Sequence, residues 1–264
     1  MREAVLEFVN FSASWEEQRV VDCVEFRVPH HRICAIIGAS GSGKSTLLRS
    51  INRLNEGLPG WRTDGEIRLD GTNCQTIPVT GLRRRIGMVF QKPIIFPRSI
   101  EENVVFGLRY TAFGKGRFFR EIIERTLRTV QLWDEVKDRL DDSALKLSVG
   151  QQQRLCLART LVMEPEVLLL DEPTASLDPR SAAAIEEALI ELKSRCSILV
   201  VTHNLSQARR LGDLVAFVSA GDGVGKIVEF GCAEQVLCRP ASPQTADYVG
   251  AQLSTPGESV DFTL

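Results

Sequence analysis

A glycine-rich loop that directly follows an apolar run constrains this chain more than any other feature. Residues 38–45 read GASGSGKS, which fits the pattern G-x-x-x-x-G-K-[S/T], and they come after the apolar run Ile33–Ile37. The next residues, 46–54, have the pattern of a helix. Glycines let the backbone N–H groups of such a loop turn inward, and the first turn of the following helix adds positive charge. The sequence therefore predicts a phosphate-binding loop formed by Gly38, Ala39, Ser40, Gly41, Ser42, Gly43, Lys44, Ser45 and Thr46.

Lys44 and Ser45 give this loop its expected chemistry. In loops of this pattern the lysine reaches the β- and γ-phosphates of a nucleotide, and the serine hydroxyl is a ligand of Mg²⁺. The alternative is a chance glycine-rich turn, but chance does not explain a strand before the loop and a helix after it. The loop alone specifies neither which nucleotide binds nor whether it is hydrolysed.

Composition and charge are those of an ordinary globular protein. The 264 residues are 44% hydrophobic and 25% charged, with a formal net charge of −2. No basic excess points to nucleic acid, no apolar run reaches the ~20 residues that cross a bilayer, and the N-terminus lacks the pattern of a signal peptide. The seven cysteines are odd in number and contain no CxxC pair. We therefore expect free thiols rather than a disulfide framework or a zinc site.

Short apolar runs alternate with helical patterns along much of the chain. The N-terminal residues alternate polar and apolar side chains, as antiparallel strands of a side layer do. Residues 93–158 are instead rich in helical periodicity and charge. The sequence therefore predicts an α/β core with an N-terminal antiparallel β layer and an inserted helical subdomain. The runs that have the length of buried strands in a mostly parallel sheet are 33–37, 86–90, 167–170 and 198–201.

Polar side chains follow three of these apolar runs. They are Gln91, the pair Asp171 and Glu172, and His203. Ligands of parallel sheets gather at the carboxyl ends of the strands. There Asp171 can help to hold Mg²⁺ and Glu172 can orient an attacking water. His203 can donate a hydrogen bond to the γ-phosphate, and Gln91 can reach the metal or the water. Each residue alone is more often an exposed or structural group, so these roles depend on the phosphate-binding loop.

Residues 147–154 read LSVGQQQR, which resembles the LSGGQ signature of the ABC ATPase family. The resemblance extends over nearly the whole chain. It implies the family's fold, a P-loop NTPase (RecA-like) core, in a single domain over residues 1–264, and it implies hydrolysis of ATP. In the family, the signature of one subunit closes over the γ-phosphate of a partner's ATP. The resemblance therefore implies a head-to-tail dimer of two copies that encloses two ATP molecules.

The resemblance assigns further roles residue by residue. Ser148, Gly150 and Gln151 match the signature residues that contact the partner's ATP. Asp178 falls in the D-loop, which touches the opposite site. Trp15 falls on the aromatic position that stacks on adenine, although it could instead pack on the side layer. By the same comparison, Gln91 matches the Q-loop glutamine and His203 matches the switch histidine.

Val149 departs from the family pattern, which has a glycine at this position. Valine is stiff and resists a positive φ. Either the position has an ordinary backbone in this fold, or the site that the signature completes is weakened. We expect the first.

Several stretches resemble, within the family, the ATPases of phosphate importers: 82–93, 201–204 and 229–231. The resemblance implies the motor subunit of an import system for inorganic phosphate or a related oxyanion, held peripherally on the cytoplasmic face of the membrane. Its partners would be integral-membrane permease subunits and, indirectly, a substrate-binding protein. The arginines at 83–85 could suggest nucleic acid, but we expect a solvated edge at the start of a strand.

Two other functions stay open from the sequence. One is a soluble, non-transport ABC ATPase, although the chain lacks the long coiled coils, zinc insertions or tandem ATPase halves that such proteins carry. The other is a weakly hydrolysing regulatory module, which Val149 keeps in view. Residues 253–264 are polar with Pro and Gly, and we expect a loose tail there.

Overall fold

The computed structural model describes residues 4–110 and 118–253. Described residues before Ile77 and after Val200 make one compact unit, and residues 77–200 make a second. The strands within the described residues are β1 (Leu6–Trp15), β2 (Gln18–Val28), β3 (Ile33–Ile37), β4 (Trp61–Leu69), β5 (Thr72–Asn73), β6 (Ile86–Val89), β7 (Val167–Asp171), β8 (Ser197–Val201), β9 (Leu214–Ser219) and β10 (Lys226–Cys232). The α-helices are α1 (Lys44–Ile51), α2 (Val79–Arg85), α3 (Ile100–Val104), α4 (Phe118–Thr129), α5 (Trp133–Val136), α6 (Val149–Leu161), α7 (Pro179–Leu192), α8 (Leu205–Leu211), α9 (Ala233–Cys238) and α10 (Pro243–Leu253).

The first unit contains an antiparallel sheet and three further strands. The antiparallel sheet has the order β2-β1-β4-β5, and Trp15 lies at its end, opposite both Gln18 and Trp61. β3 is buried along its whole length and pairs in parallel with β9, which pairs antiparallel with β10. The glycine-rich loop joins β3 to α1, as predicted. α1 begins at Lys44, two residues before the predicted start, because Gly43 already takes the N-cap position in a left-handed conformation.

The second unit contains β6, β7 and β8 together with most of the helices. β6 pairs in parallel with β7 so that Val89 lies opposite Leu170, and β8 lies on the other side of β7. Every residue of β7 and β8 is buried, which explains why both strands are apolar apart from Asp171 at the end of β7 and Ser197 at the start of β8. Helices α3 to α6 lie between β6 and β7 in the chain. The predicted fold class, parallel strands with an antiparallel layer and an inserted helical region, is confirmed.

Three local expectations need comment. Arg83, Arg84 and Arg85 do not begin a strand; they form the last turn of α2, where positive charge is favourable because the carbonyl end of a helix is negative. Arg85 also pairs with Glu166, at 2.7 Å. Of the predicted tail at 253–264, Leu253 is instead the last residue of α10, and 254–264 lie outside the described residues. None of the helices within 4–110 and 118–253 is long and apolar enough to cross a membrane.

All seven cysteines are free thiols, as predicted. Four of them are buried and three are exposed. Burial raises the pKa of Cys34 to about 12 and that of Cys196 to about 11. The Cys34 and Cys196 thiols therefore stay protonated at neutral pH and act as small apolar side chains.

Candidate functional site

The loop after β3 depends on its glycines for two different reasons. Gly38, Gly41 and Gly43 all have a positive φ, of 150°, 78° and 90°. A Cβ on Gly38 would lie 2.1 Å from the carbonyl oxygen of Val218, and one on Gly43 would lie 2.7 Å from a methyl carbon of Val21. A Cβ on Gly41 would meet no described atom within 4 Å. Packing thus requires glycine at the two ends of the loop, while only the backbone conformation requires it in the middle.

The polar groups of the loop point toward its own concave side. The Lys44 Nζ donates to the carbonyl oxygens of Gly38 and Ala39, at 2.8 and 2.6 Å, and the residue is only 6% exposed. The Ser42 hydroxyl is buried and has no hydrogen-bond partner among the described residues. A buried hydroxyl of this kind normally has a partner. A buried ammonium and an unpaired hydroxyl in one loop fit a bound anion.

The start of α1 supports the same conclusion. Within the described residues no side chain caps its N-terminus, and its first turn contains no acidic residue. The first N–H groups of a helix need acceptors from outside the helix, and the helix dipole makes that end positive. Ser45 and Thr46 belong to this first turn and are partly exposed. The loop and the start of α1 together therefore offer donors and positive potential that suit an anion.

Trp15 lies beside this loop. It is 52% exposed at the end of β1 and lines a cavity of about 550 Å³ that Gly41 also lines. This volume is within the range of small-molecule pockets. The other residues that line the cavity are Glu16, Glu17, Gln18, Val20 and Gly223. Trp15 is therefore about half exposed and lines the same cavity as Gly41 of the glycine-rich loop.

His203 is exposed at the carboxyl end of β8, and the backbone around it is fixed. The N–H of Thr202 donates to the carbonyl oxygen of Ile36, at 3.1 Å, and the Thr202 hydroxyl accepts from the N–H of Asn204, at 3.0 Å. Ile36 belongs to β3, whose end leads into the glycine-rich loop. The hydrogen bond from Thr202 to Ile36 therefore ties the segment that carries His203 to the strand that leads into the glycine-rich loop.

The second unit brings Gln91 and Glu172 together. The Gln91 Nε2 donates to a carboxylate oxygen of Glu172, at 3.2 Å. Asp171, the last residue of β7, is 2% exposed. Glu172 has a φ of 45°, a left-handed conformation that is uncommon for a residue with a side chain. Such conformations are enriched at functional sites, because the surrounding structure must hold them. Of the carboxylate pair predicted from the sequence, Asp171 is therefore buried and Glu172 is partly exposed. The Gln91 amide lies beside Glu172.

The signature residues form the N-terminus of α6. The Ser148 hydroxyl accepts from the N–H of Gln151, at 3.3 Å, and the Gln151 side chain accepts from the N–H of Ser148, at 3.0 Å. This reciprocal pair is a capping box. Val149 is the first residue of α6 and its φ is not positive, so the position has an ordinary backbone. Gly150 is buried against Ser181, and a Cβ on it would lie 2.2 Å from the Ser181 hydroxyl oxygen.

Asp178 caps the neighbouring helix. Its carboxylate accepts from the N–H of Ser181, at 3.0 Å, and Pro179 takes the first helical position, where its fixed φ suits a helix. The hydrogen bond from Ser181 lowers the pKa of Asp178 below the usual range. The second unit thus contains Gln91, Asp171 and Glu172 in one group, and Ser148, Gly150, Gln151 and Asp178 around the starts of α6 and α7.

Comparison with known proteins gives concordant results. Residues 21–175, more than half of the chain, match the sequence profile described as ABC transporter. Two curated relatives are both named phosphate import ATP-binding protein. PstB 2 of Bacillus licheniformis is 49% identical over 253 residues, which cover 95% of this chain and 90% of the relative. PstB 1 of Vibrio parahaemolyticus is 45% identical over 249 residues, which cover 94% and 90%.

Two solved structures are also similar. CbiO1 of Clostridium perfringens, described as part of the ABC transporter complex cbiONQ, has a TM-score of 0.77 at 26% identity and covers 90% of this chain and 92% of its own. A bacterial Atm1-family ABC exporter with ATP bound has a TM-score of 0.80 at 25% identity, over 99% of this chain and 43% of the exporter. The chain belongs to the ABC transporter family.

Proposed function

We propose that this chain is the ATP-hydrolysing motor subunit of an import system for inorganic phosphate. The observation that carries the chemistry is Glu172, held by Gln91 at a strand end, in a chain that also forms a phosphate cradle. The choice of phosphate as the transported ion rests on sequence identity. The chain is 45–49% identical, over more than nine tenths of its length, to proteins named for phosphate import. All these relatives are named as import proteins, so the soluble and regulatory alternatives are not favoured.

ATP binds in the pocket between Trp15 and the glycine-rich loop. The indole ring stacks on adenine, which favours a large, flat, partly exposed side chain such as this one. The N–H groups of the loop and of the first turn of α1 take the phosphates. Lys44 gives up its contacts with its own loop carbonyls and pairs with the β- and γ-phosphates. The new contacts are stronger because both partners are charged, whereas the carbonyl oxygens are neutral acceptors.

Mg²⁺ accompanies the nucleotide, and the residues present suit it. Mg²⁺ prefers oxygen ligands and is usually held by one or two protein groups plus phosphates and waters. Ser45 offers a hydroxyl, Asp171 a buried carboxylate and Gln91 an amide oxygen. When bound, the ion neutralises phosphate charge.

Hydrolysis depends on Glu172 and His203. The Glu172 carboxylate orients the attacking water and accepts its proton, and Gln91 keeps that carboxylate in place through the 3.2 Å hydrogen bond. His203 donates to the γ-phosphate, so that it distinguishes ATP from ADP. Lys44 stabilises the charge that develops on the transferred phosphoryl group.

Two copies of the chain form the complete sites. Ser148, Gly150 and Gln151 of one copy close over the γ-phosphate of the ATP held by the other, and Asp178 lies beside the opposite site. A helix N-terminus with a serine hydroxyl suits this contact, because it offers donors and positive potential to an anion. ATP therefore draws the copies together, and hydrolysis releases them.

The motion passes to permease subunits in the membrane. The chain is held peripherally on the cytoplasmic face, and a substrate-binding protein acts on the other side of the membrane. The segment after Gln91 is suited to this contact. The Phe96 and Phe106 rings are tilted by 39° with centroids 4.3 Å apart, and Arg159 lies over the Phe96 ring at 4.4 Å. Ile94, beside this rigid cluster, is 51% exposed and offers an apolar contact.

Uptake in a strain that lacks this chain tests the proposal. The strain should lose high-affinity uptake of phosphate but not of molybdate or sulfate, and the wild-type gene should restore it. A Lys44→Ala variant should not restore it, whereas Lys137→Ala, which removes an exposed charge outside the loop, should. Normal phosphate uptake in the deletion strain, with lost molybdate or sulfate uptake, would reject the proposed ion but not the motor.

A further inference from the structure

Glu135 joins the signature turn, residues 148–151, to a buried arginine. Its carboxylate accepts from the Gln151 Nε2, at 2.7 Å, and from the Arg154 Nη1, at 2.7 Å. The Arg154 side chain is only 7% exposed and also donates to the carbonyl oxygen of Gln131. The Glu135 carboxylate thus connects helix α5 to the first turns of α6. Arg154 of α6 also contacts the loop before α5, through the carbonyl oxygen of Gln131.

This connection determines which way the Gln151 amide points. A glutamine amide has a donor end and an acceptor end, and its partners decide the orientation. An ionised carboxylate only accepts, so the NH₂ group of Gln151 must face Glu135. The Gln151 Oε1 then faces the N–H of Ser148 and closes the capping box.

The charge on Glu135 is stable at neutral pH. Burial raises the pKa of Glu135, but the hydrogen bonds from Arg154 and Gln151, together with the charges of Arg154 and Arg180, lower it further, and the net direction is down. The carboxylate therefore keeps Gln151 in a single orientation across the physiological range.

We propose that Glu135 is a positioning residue that fixes the signature turn of one copy for its contact with the γ-phosphate of the other copy's ATP. The proposal rests on the function proposed above. Glu135 does not touch the nucleotide; it acts through Gln151, whose side chain sets the capping box and therefore the direction of the Ser148 hydroxyl.

The nearly isosteric variant Glu135→Gln tests this role. Its amide oxygen can still accept from Arg154, but the amide can offer either end to Gln151. We expect kcat to fall about tenfold, because a hydrogen bond to a charged group is lost. In a Glu172→Gln background, which should trap the dimer, the ATP concentration for half-maximal dimerisation should rise about tenfold. ATP affinity of the dilute monomer should stay unchanged, since the phosphate-binding loop is untouched.

Asp134→Asn is the matched control. Asp134 belongs to the same helix, its side chain is 77% exposed, and its carboxylate pairs with Lys137, at 3.3 Å. This variant should dimerise and hydrolyse ATP like the wild type. If Glu135→Gln does the same, the proposal is overturned.

A double-mutant cycle keeps the proposal testable if Glu135→Gln also lowers the Tm. Gln151→Leu removes the amide but leaves the pair of Glu135 and Arg154 intact. If both residues act through one network, Glu135→Gln should cause little further loss in the Gln151→Leu background; fully additive losses contradict the proposal. A wild-type chain that does not dimerise with ATP would overturn the proposed function as well, and so differs from a defect confined to the Glu135 variant.

Discussion

Gly150 lies so close to Ser181 that a Cβ on the glycine would be 2.2 Å from the serine hydroxyl oxygen and 2.6 Å from its Cβ. The signature turn at the start of α6 therefore packs directly on the start of α7. Asp178 caps that same end of α7 by accepting from the N–H of Ser181. The signature turn and the start of α7, which the sequence predicts to contact ATP, thus touch each other within one chain. Gly150 makes this close approach possible.

We predict that Gly150→Ala reduces ATP hydrolysis by roughly 100-fold, because the added methyl group must displace one helix start, and a shift of about 1 Å can have that effect on a positioned group. Ser181→Gly in the same chain removes both clashing atoms and should restore most of the activity. Gly81→Ala is the control, since its methyl group would meet its nearest neighbour at an ordinary 3.9 Å. Steady-state ATPase assays give the comparison. Full activity of Gly150→Ala would contradict the packing argument.

Val149 provides a second prediction at the same turn. It is 52% exposed, and its backbone is ordinary at the first position of α6. A glycine here gains nothing from its conformational freedom, so Val149→Gly should change kcat by less than about threefold, with a stability loss of at most about 1 kcal/mol. A rise of more than tenfold in the ATPase rate would mean that the valine weakens the site.

Much of the fold could be predicted because the signals are local. The buried strand β3 is a continuous apolar run, β7 is one up to its last residue, and the start of α7 carries an Asp–Pro pair that favours an N-cap. The error at Arg83–Arg85 came from assigning three arginines to the strand that follows them. Basic residues at the end of a helix were an available signal, since α2 ends there.

The site could be predicted as a set of residues but not as a set of contacts. The motif identifies Gln151, and nothing in the spacing links it to Glu135, 16 residues earlier, or links Glu135 to Arg154, 19 residues later. Likewise, the bond between Gln91 and Glu172 joins residues 81 positions apart. Only the parallel pairing of β6 with β7 brings their ends together. Pairing across such distances is set by tertiary packing and leaves no periodic trace in the sequence.

Asp178 gives a prediction about pH. Its hydrogen bond with Ser181 lowers its pKa in the folded chain, so this carboxyl group stabilises the fold above its unfolded pKa of about 3.9 and loses that effect as the pH falls through the folded pKa. Asp178→Ala should therefore lower the Tm at pH 7, and the difference from the wild type should shrink as the pH drops below about 4. Asp178→Asn keeps a good N-cap and should stay near the wild-type Tm at pH 7. Thermal melts of the three chains decide the question, and a gap that widens on acidification would have the wrong sign.

The pairing of Gln91 with Glu172 gives the last prediction. Gln91→Met has similar length but removes the hydrogen bond that the Glu172 carboxylate accepts from the Gln91 Nε2 at 3.2 Å. Because a hydrogen bond to a charged group is lost, kcat should fall about tenfold. Gln91→Glu also removes this donor and puts a second carboxylate beside Glu172, so it should lower kcat further than Gln91→Met does. Steady-state ATPase assays of both variants and the wild type give the comparison, and wild-type rates in both variants would show that Gln91 does not hold Glu172 for catalysis.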